Sequence, residues 1–303
     1  ASAAWVLSNE GFLSQASWLD LLKFKASFGQ QGNDQFIKND EANYYPYMDQ
    51  YKMTGANGVF ATTLTFKGNP DITWETTTSY NAGFDFAMFD GKLQGSIEYF
   101  GRKSSDMLYF KPVNPSLGYA ELPMNVGSLM NSGVELDVTY TPIKTKKVQW
   151  DINFNATSVK NKIIKLHPDL GGRLEDGTRI YEEGESMYRL YLVKYAGVDP
   201  TNGKALYWAK NAQGEEYKTD DWTTANETNK VATKDLMPKV YGGFGTTVQA
   251  YGFDFSAQFS YQLGGYIRDY GYQLLMHGGS SSDMGRNWST DIRNAWTPEN
   301  TDT

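Results

Sequence analysis

The 303 residues suffice for one large all-β domain or two ordinary ones, and the net charge of −7 argues against a broad nucleic-acid-binding face. Cysteine is absent, which excludes a disulfide scaffold and thiolate metal sites. No run of about 18 apolar residues occurs, so a transmembrane helix is excluded, whereas a membrane β-barrel, whose strands alternate, is not.

Polar and apolar side chains alternate along many segments, a pattern typical of strands with two unlike faces. In residues 92–100, for example, Leu93 and Ile97 point one way while Gln94 and Glu98 point the other. A short capped helical turn is expected within 8–19. The alternation predicts about eight strands, at 1–7, 20–29, 73–89, 92–109, 126–141, 147–165, 239–250 and 253–268.

Short turns and long loops alternate between these strands. The predicted hairpin turns are Asp90-Gly91, residues 142–146 and Tyr251-Gly252. The longest loop is expected to hold a small hairpin, formed by 188–198 and 204–209. The long connections, predicted as extracellular loops, are approximately 30–71, 110–125, 166–238 and 269–303. Tight turns at one end of a sheet and long loops at the other are typical of outer-membrane barrels.

Strand length distinguishes a membrane barrel from a soluble sandwich. Strands of a soluble sandwich average about 5–6 residues, whereas several of these run much longer before a turn signal. A tilted strand needs about 9–11 residues to cross the hydrocarbon layer. Aromatic residues near strand ends suit the interfacial girdle of a barrel, although a sandwich core would also use them; they are Trp74, Phe89, Tyr140, Trp150 and Phe253.

Residues capable of catalysis or metal binding are sparse. The two histidines, His167 and His277, lie in long loops, and no Gly-x-Ser-x-Gly elbow surrounds a serine. The loop carboxylate pairs Glu182-Glu183 and Asp220-Asp221 lack the spacing of a calcium loop. We therefore expect no enzyme activity, no catalytic residue, no metal site and no cofactor.

Two sets of side chains are candidates for binding. The loop aromatics Tyr207, Trp208 and Trp222 could stack on sugar rings, although packing that anchors the loop explains them as well. The second set would line a wet lumen or bond to a plug, and it consists of Asp85, Gln94, Glu98, Glu135, Asp137, Asp151, Asn153, Asn155, Asp254 and Gln258.

A series of short motifs resembles one known family. Residues 69–77 read NPDITWETT, 95–100 read GSIEYF, 125–128 read NVGS, 131–136 read NSGVEL, and 237–244 read MPKVYGGF. In this order, over nearly the whole chain, they resemble the SusC/RagA-like family of TonB-linked outer-membrane transporters.

The resemblance implies an antiparallel transmembrane β-barrel of which residues 1–303 form part: about eight of 22 strands, from the C-terminal half. It also implies import of oligosaccharides or peptides across the outer membrane of a Gram-negative bacterium. The expected partners are a SusD-like surface lipoprotein, the TonB complex acting through a plug region, the imported substrate and outer-membrane lipid. Nucleic acid is not expected.

The chain departs from the complete family pattern, because no plug domain and no TonB-contacting segment occur in residues 1–303. No energy-coupling residue is therefore transferred from the family. A soluble or surface-exposed β-rich module that binds carbohydrate is the alternative interpretation.

Overall fold

The computed structural model describes residues 1–38, 41–56, 58–279 and 284–301. These residues form two compact units. The first comprises Ala1–Leu174, Tyr181–Met187 and Pro238–Gly264, and the second comprises Glu175–Ile180, Tyr188–Met237 and Gly265–Thr303. No helix among the described residues has the length and apolar character needed to cross a membrane.

The first unit is built on an eight-stranded antiparallel sheet, which we call the wall. Each strand pairs with its neighbours in sequence, so the sheet is a meander with β1 and β8 as its edges. The strands are β1 (Ser2–Val6), β2 (Leu19–Asn33), β3 (Glu75–Met88), β4 (Leu93–Ser105), β5 (Gly127–Lys144), β6 (Val148–Leu166), β7 (Val240–Ala250) and β8 (Phe253–Leu263).

The loops carry shorter elements. The first unit contains 3-10 turns at Leu7–Asn9, Pro115–Leu117 and Pro168–Leu170. The loop strands along residues 34–187 are Ile37–Lys38, Glu41–Ala42, Gln50–Ala56, Val59–Phe66, Leu108–Pro112, Glu121–Asn125, Arg173–Asp176 and Arg179–Glu182.

The second unit combines small sheets with two short helices. Its three-stranded sheet is Tyr195–Val198, Ala205–Lys210 and Glu216–Thr219. Tyr191–Val193 pairs with Lys230–Ala232. Helix α1 spans Trp222–Thr228, helix α2 spans Tyr270–Leu275, and a 3-10 turn spans Thr290–Asn294.

The eight predicted wall strands are all present, but several of their bounds differ from the prediction. The segment predicted as 92–109 ends at Ser105, because Asp106 adopts a left-handed φ of 56° and the chain then leaves the sheet. The segment predicted as 253–268 ends at Leu263, where two glycines with positive φ follow. In contrast, β2 continues to Asn33, four residues beyond the predicted end at 29, because its Gly-rich end still pairs with β3.

Two loop elements of the structure differ in part from the prediction. The hairpin of 188–198 and 204–209 exists between Tyr195–Val198 and Ala205–Lys210, but Tyr191–Val193 pairs elsewhere. The capped helical turn predicted within 8–19 is a 3-10 turn that starts at Leu7 and has no side-chain cap. The first difference arises because local sequence does not specify which distant strand a short segment will meet.

Candidate functional site

The strand register places the ten predicted lumen residues on one face of the wall. Lys23, Asp85, Ser96 and Asp137 are directly opposite one another across β2 to β5, and Asn155 continues the row on β6. We call this surface the polar face. All ten occupy it, because side chains alternate along each strand: Asp85, Gln94, Glu98, Glu135, Asp137, Asp151, Asn153, Asn155, Asp254 and Gln258.

Charged groups concentrate on the polar face of β2 to β4. The Nζ atom of Lys25 lies 2.9 Å from a carboxylate oxygen of Asp85 and 3.0 Å from one of Glu98. Lys23 also approaches Asp85, at 3.5 Å. Since β3 separates Lys25 from Glu98, the lysine side chain must cross the strand between them, and the residue it crosses is Gly83.

Gly83 has no room for a side chain. A Cβ there would lie 2.4 Å from the carbonyl oxygen of Ile97 and 2.9 Å from the Cα of Glu98. Both neighbours are backbone atoms, which cannot rotate away. The glycine therefore permits both the close approach of β3 to β4 and the passage of Lys25.

The polar face of β6 to β8 is rich in amides instead. The amides of Asn153 and Gln258 exchange two hydrogen bonds of 3.2 Å across β7. The Oδ1 atom of Asn155 accepts from the amide of Gly243 at 2.8 Å. Asp151 accepts from Thr141 at 2.7 Å. These four side chains bond to neighbouring side chains or backbone, so their polar groups are satisfied within the wall.

The opposite face of the wall is apolar and exposed. Phe154, Phe244 and Phe259 lie directly opposite one another on β6, β7 and β8, and the rings of the last two stack with centroids 5.1 Å apart. Phe244 and Phe259 are 47% and 56% exposed. We call this surface the apolar face. A contiguous exposed patch of this kind marks a contact with lipid or with another protein.

The height of the apolar face can be measured on β6. Its side chains on this face run from Val148 to Ser158 without a charge, and Lys160 follows. At about 3.3 Å per residue this is roughly 33 Å along the strand. With the tilt of about 40° found in membrane barrels the vertical height is about 25 Å, which matches their apolar band.

The predicted girdle aromatics lie at the ends of this band. Phe89 and Phe253 are at the short-turn end and are 51% and 80% exposed. Trp150 donates from its indole nitrogen to Thr246 at 2.7 Å. At the long-loop end, Trp74 precedes β3 and packs on Gly32.

One asparagine ties three segments together at the long-loop end of the wall. The side-chain amide of Asn125 donates to the carbonyl of Thr73 at 2.9 Å and to that of Asp106 at 2.6 Å, while its oxygen accepts from the amide of Thr73 at 2.9 Å. Asn69 donates to Pro123 nearby. Sequence reasoning missed this contact, although both asparagines belong to motifs that carried the family resemblance.

A small apolar cavity of about 110 Å³ lies at the same end of the wall. Its lining includes Met107, Leu129, Ile163 and Tyr181. Ile163 is buried, and its backbone bonds with Glu185 and Gly184 hold the returning loop against β6. The cavity is too small for an oligosaccharide, so it belongs to the packing of the loop.

The three predicted loop aromatics do not form one platform. Tyr207 and Trp208 are consecutive in a strand, so their rings point to opposite faces. The Tyr207 ring meets Tyr195 edge-on, and the Trp208 ring has the ammonium groups of Lys194 and Lys218 each 5.4 Å from its centroid. Trp222 begins α1 and is 52% exposed.

Loop carboxylates serve as caps and ion-pair partners. The ammonium of Lys204 donates to Asp220 at 2.6 Å and lowers the pKa of that carboxyl. Asp221 caps α1 by accepting from Thr223 and Thr224, and the bond from the Thr224 hydroxyl is the main cause of its lowered pKa. Within the described parts of the chain, no group of three metal-ligating side chains occurs.

The two histidines have local roles. The Nδ1 atom of His167 accepts from the amide of Asp169 and caps the 3-10 turn there. His277 stacks on Trp288 with ring centroids 5.3 Å apart. Neither arrangement includes a serine or cysteine nucleophile.

A two-faced antiparallel wall with tight turns at one end and long loops at the other defines the class of outer-membrane β-barrels. Residues 12–274 match the family model described as "TonB dependent receptor-like, beta-barrel". The chain belongs to this family, which is one of receptors and transporters.

Known relatives agree with this assignment. The chain is 28% identical to TonB-dependent receptor P3 of Formosa agariphila, with 99% of the chain and 31% of the relative aligned. It is also 28% identical to TonB-dependent receptor SusC of Bacteroides thetaiotaomicron, over 87% of the chain and 27% of SusC. It therefore spans about a third of their length or less.

The fold of a solved structure is also similar. The RagAB peptide transporter superposes with a TM-score of 0.80 at 25% identity, and the match covers 100% of this chain and 33% of that one. The predicted family and all-β fold are confirmed by these matches.

Proposed function

We propose that the chain forms part of the wall and the extracellular loops of a TonB-dependent importer in the outer membrane of a Gram-negative bacterium. Its substrates would be oligosaccharides or peptides, and no catalytic step is involved. A SusD-like surface lipoprotein would capture substrate with it, and the TonB complex would supply energy through a plug. Family membership supports the mode of transport, and the relatives named SusC and RagAB support the range of substrates.

The observation that carries the proposal is the two-faced wall. An uncharged face about 25 Å high suits hydrocarbon, while the opposite face presents carboxylates, ammonium groups and amides to water or to a plug. A soluble carbohydrate-binding module would have to cover the exposed phenylalanines of β6 to β8 with something else.

We also propose the loop aromatics as substrate contacts. Among Tyr207, Trp208 and Trp222, the first two rings already contact other side chains, so Trp222 offers the freest flat surface. Replacing Trp222 by alanine should weaken substrate capture, whereas Trp222→Phe should retain most of it, because a phenyl ring can still stack.

Uptake by whole cells tests the function. Cells that express the full-length protein should accumulate a fluorescent pool of either oligosaccharides or oligopeptides, and accumulation should stop when the gene or TonB is deleted. Equal uptake with and without the gene, in cells whose outer membrane contains the folded protein, would refute import. A protein that stays monomeric in buffer without detergent would instead favour the carbohydrate-binding module.

A further inference from the structure

Three lysines lie where the apolar face of the wall ends, at its long-loop end. They are Lys103 on β4 and Lys160 and Lys162 on β6, and we call them the basic cluster. Each has the same strand parity as the apolar side chains before it: Lys103 follows Ile97 and Tyr99, and Lys160 follows Phe154 and Ala156. The basic cluster therefore extends the apolar face and points away from the polar face.

The register brings the three side chains close together. Met130 on β5 is directly opposite Lys103 on one side and Lys162 on the other. Neighbouring strands are about 4.8 Å apart, so the two lysine backbones are roughly 10 Å apart. Lys160 precedes Lys162 by two residues on the same face. Lysine side chains are long enough for all three ammonium groups to approach one anion.

The charges of the basic cluster are not neutralised within the part of the chain that the structure describes. All three lysines are exposed, and none forms a salt bridge or side-chain hydrogen bond there. The nearest carboxylates along β5, Glu135 and Asp137, are on the polar face. Three unpaired cations are notable in a chain of net charge −7.

The surface beside the lysines offers further hydrogen-bond donors. Gly101 and Ser132 are opposite each other in the row of Lys160, next to the row of Lys103 and Lys162. The Tyr80 ring covers Gly101, with its hydroxyl oxygen 2.5 Å from the position that a Cβ of Gly101 would take. The hydroxyls of Ser132 and Tyr80 therefore lie on the same face as the ammonium groups.

We infer that the basic cluster binds the phosphate of a lipid headgroup in the membrane leaflet at the long-loop end. The inference rests on the proposed function, because it requires the apolar face to contact hydrocarbon. A lipid held there would have its phosphate among the lysines and its acyl chains against the phenylalanines and tyrosines of the apolar face. A soluble anionic substrate would not use this site, since the surface faces away from the polar face.

Lipid binding by the full-length protein tests this assignment. The protein is placed in phosphatidylcholine nanodiscs that contain a small fraction of diphosphoryl lipid A, and retained lipid A is measured by native mass spectrometry. Replacing Lys103, Lys160 and Lys162 together by glutamine should reduce the affinity on the order of 100-fold, because each lysine near an anionic surface contributes about fivefold. Replacing all three by arginine should preserve binding.

A matched control removes the same charge from the opposite end of the wall. Replacing Lys144, Lys146 and Lys147 by glutamine alters the turn between β5 and β6 and should leave lipid A binding unchanged. Lipid A without phosphate should bind the native protein no better than it binds the glutamine variant. Millimolar inorganic phosphate should displace little lipid, because it lacks the acyl chains.

Several results would overturn the inference: native affinity in the glutamine variant, an equal loss in the control variant, or equal binding of the dephosphorylated lipid. Displacement by inorganic phosphate would show a general anion site instead. If the native protein imports substrate but shows no preference for phosphorylated lipid A, only the inference is contradicted. A protein that fails to enter the membrane contradicts the proposed function as well.

Discussion

Two glycines of the wall differ in what a methyl group would meet. At Gly83 the new Cβ would clash with backbone atoms of Ile97 and Glu98, while at Gly29 nothing lies within 4 Å. Gly83→Ala should therefore lower the free energy of unfolding by about 1–3 kcal/mol, the usual range for overpacking, and Gly29→Ala should change it by less than about 0.5 kcal/mol. Urea unfolding of the full-length protein in detergent measures both, and equal effects would contradict the close approach of β3 to β4.

Asn125 and Asn114 allow a second comparison between residues of one type. Asn125 donates to two carbonyls, whereas the side chain of Asn114 accepts from the amide of Ser116. Asn125→Asp should cost about 1–3 kcal/mol, because a carboxylate cannot donate to carbonyls. Asn114→Asp should be nearly neutral, because aspartate also caps. Limited proteolysis measures whether the segment around Asp106 detaches from Asn125. Equal protection of both variants would show that Asn125 does not hold this segment in place.

At the scale of elements, helix α1 should respond to pH through its cap. The pKa of Asp221 is lowered in the folded chain, so the cap contributes stability above the ordinary carboxyl pKa and loses it as the pH falls through the lowered value. Hydrogen exchange of the α1 amides, corrected for intrinsic rates, should show this loss of protection on acidification. In Asp221→Asn it should be absent, because an amide oxygen caps without titrating. The same acid response in both proteins would rule out the cap as its cause.

The wall strands were predictable from sequence because alternation along a strand is a local signal, and β6 follows it from Val148 to Ala156. The point at which a strand leaves the sheet was not predictable in this way. Asp106 ends β4 with a positive φ that a nonglycine residue rarely adopts, and this conformation accompanies the bonds between Met107 and residues 126–127. Gly83 likewise owes its role to β4, a separate strand. The assignment of Tyr207, Trp208 and Trp222 as substrate contacts stays a prediction.

For the whole molecule, the decisive property is which face of the wall meets lipid. The chain has no cysteine of its own, and once any cysteine elsewhere in the full-length protein is replaced, single cysteines introduced into β6 give site-specific spin labels. Outward positions Ile152 and Phe154 should be accessible to oxygen, which dissolves in hydrocarbon. Positions Asn153 and Asn155 should be accessible to a water-soluble nickel complex or shielded by the plug.

The most direct test is this accessibility profile measured from Val148 to Lys162 in lipid bilayers. For a membrane wall we expect a period of two, with oxygen accessibility high at even-numbered positions up to Ser158 and falling at Lys160, where the apolar band ends. A profile without alternation, or one in which the nickel complex reaches Ile152 and Phe154 as readily as Asn153, would contradict a membrane wall.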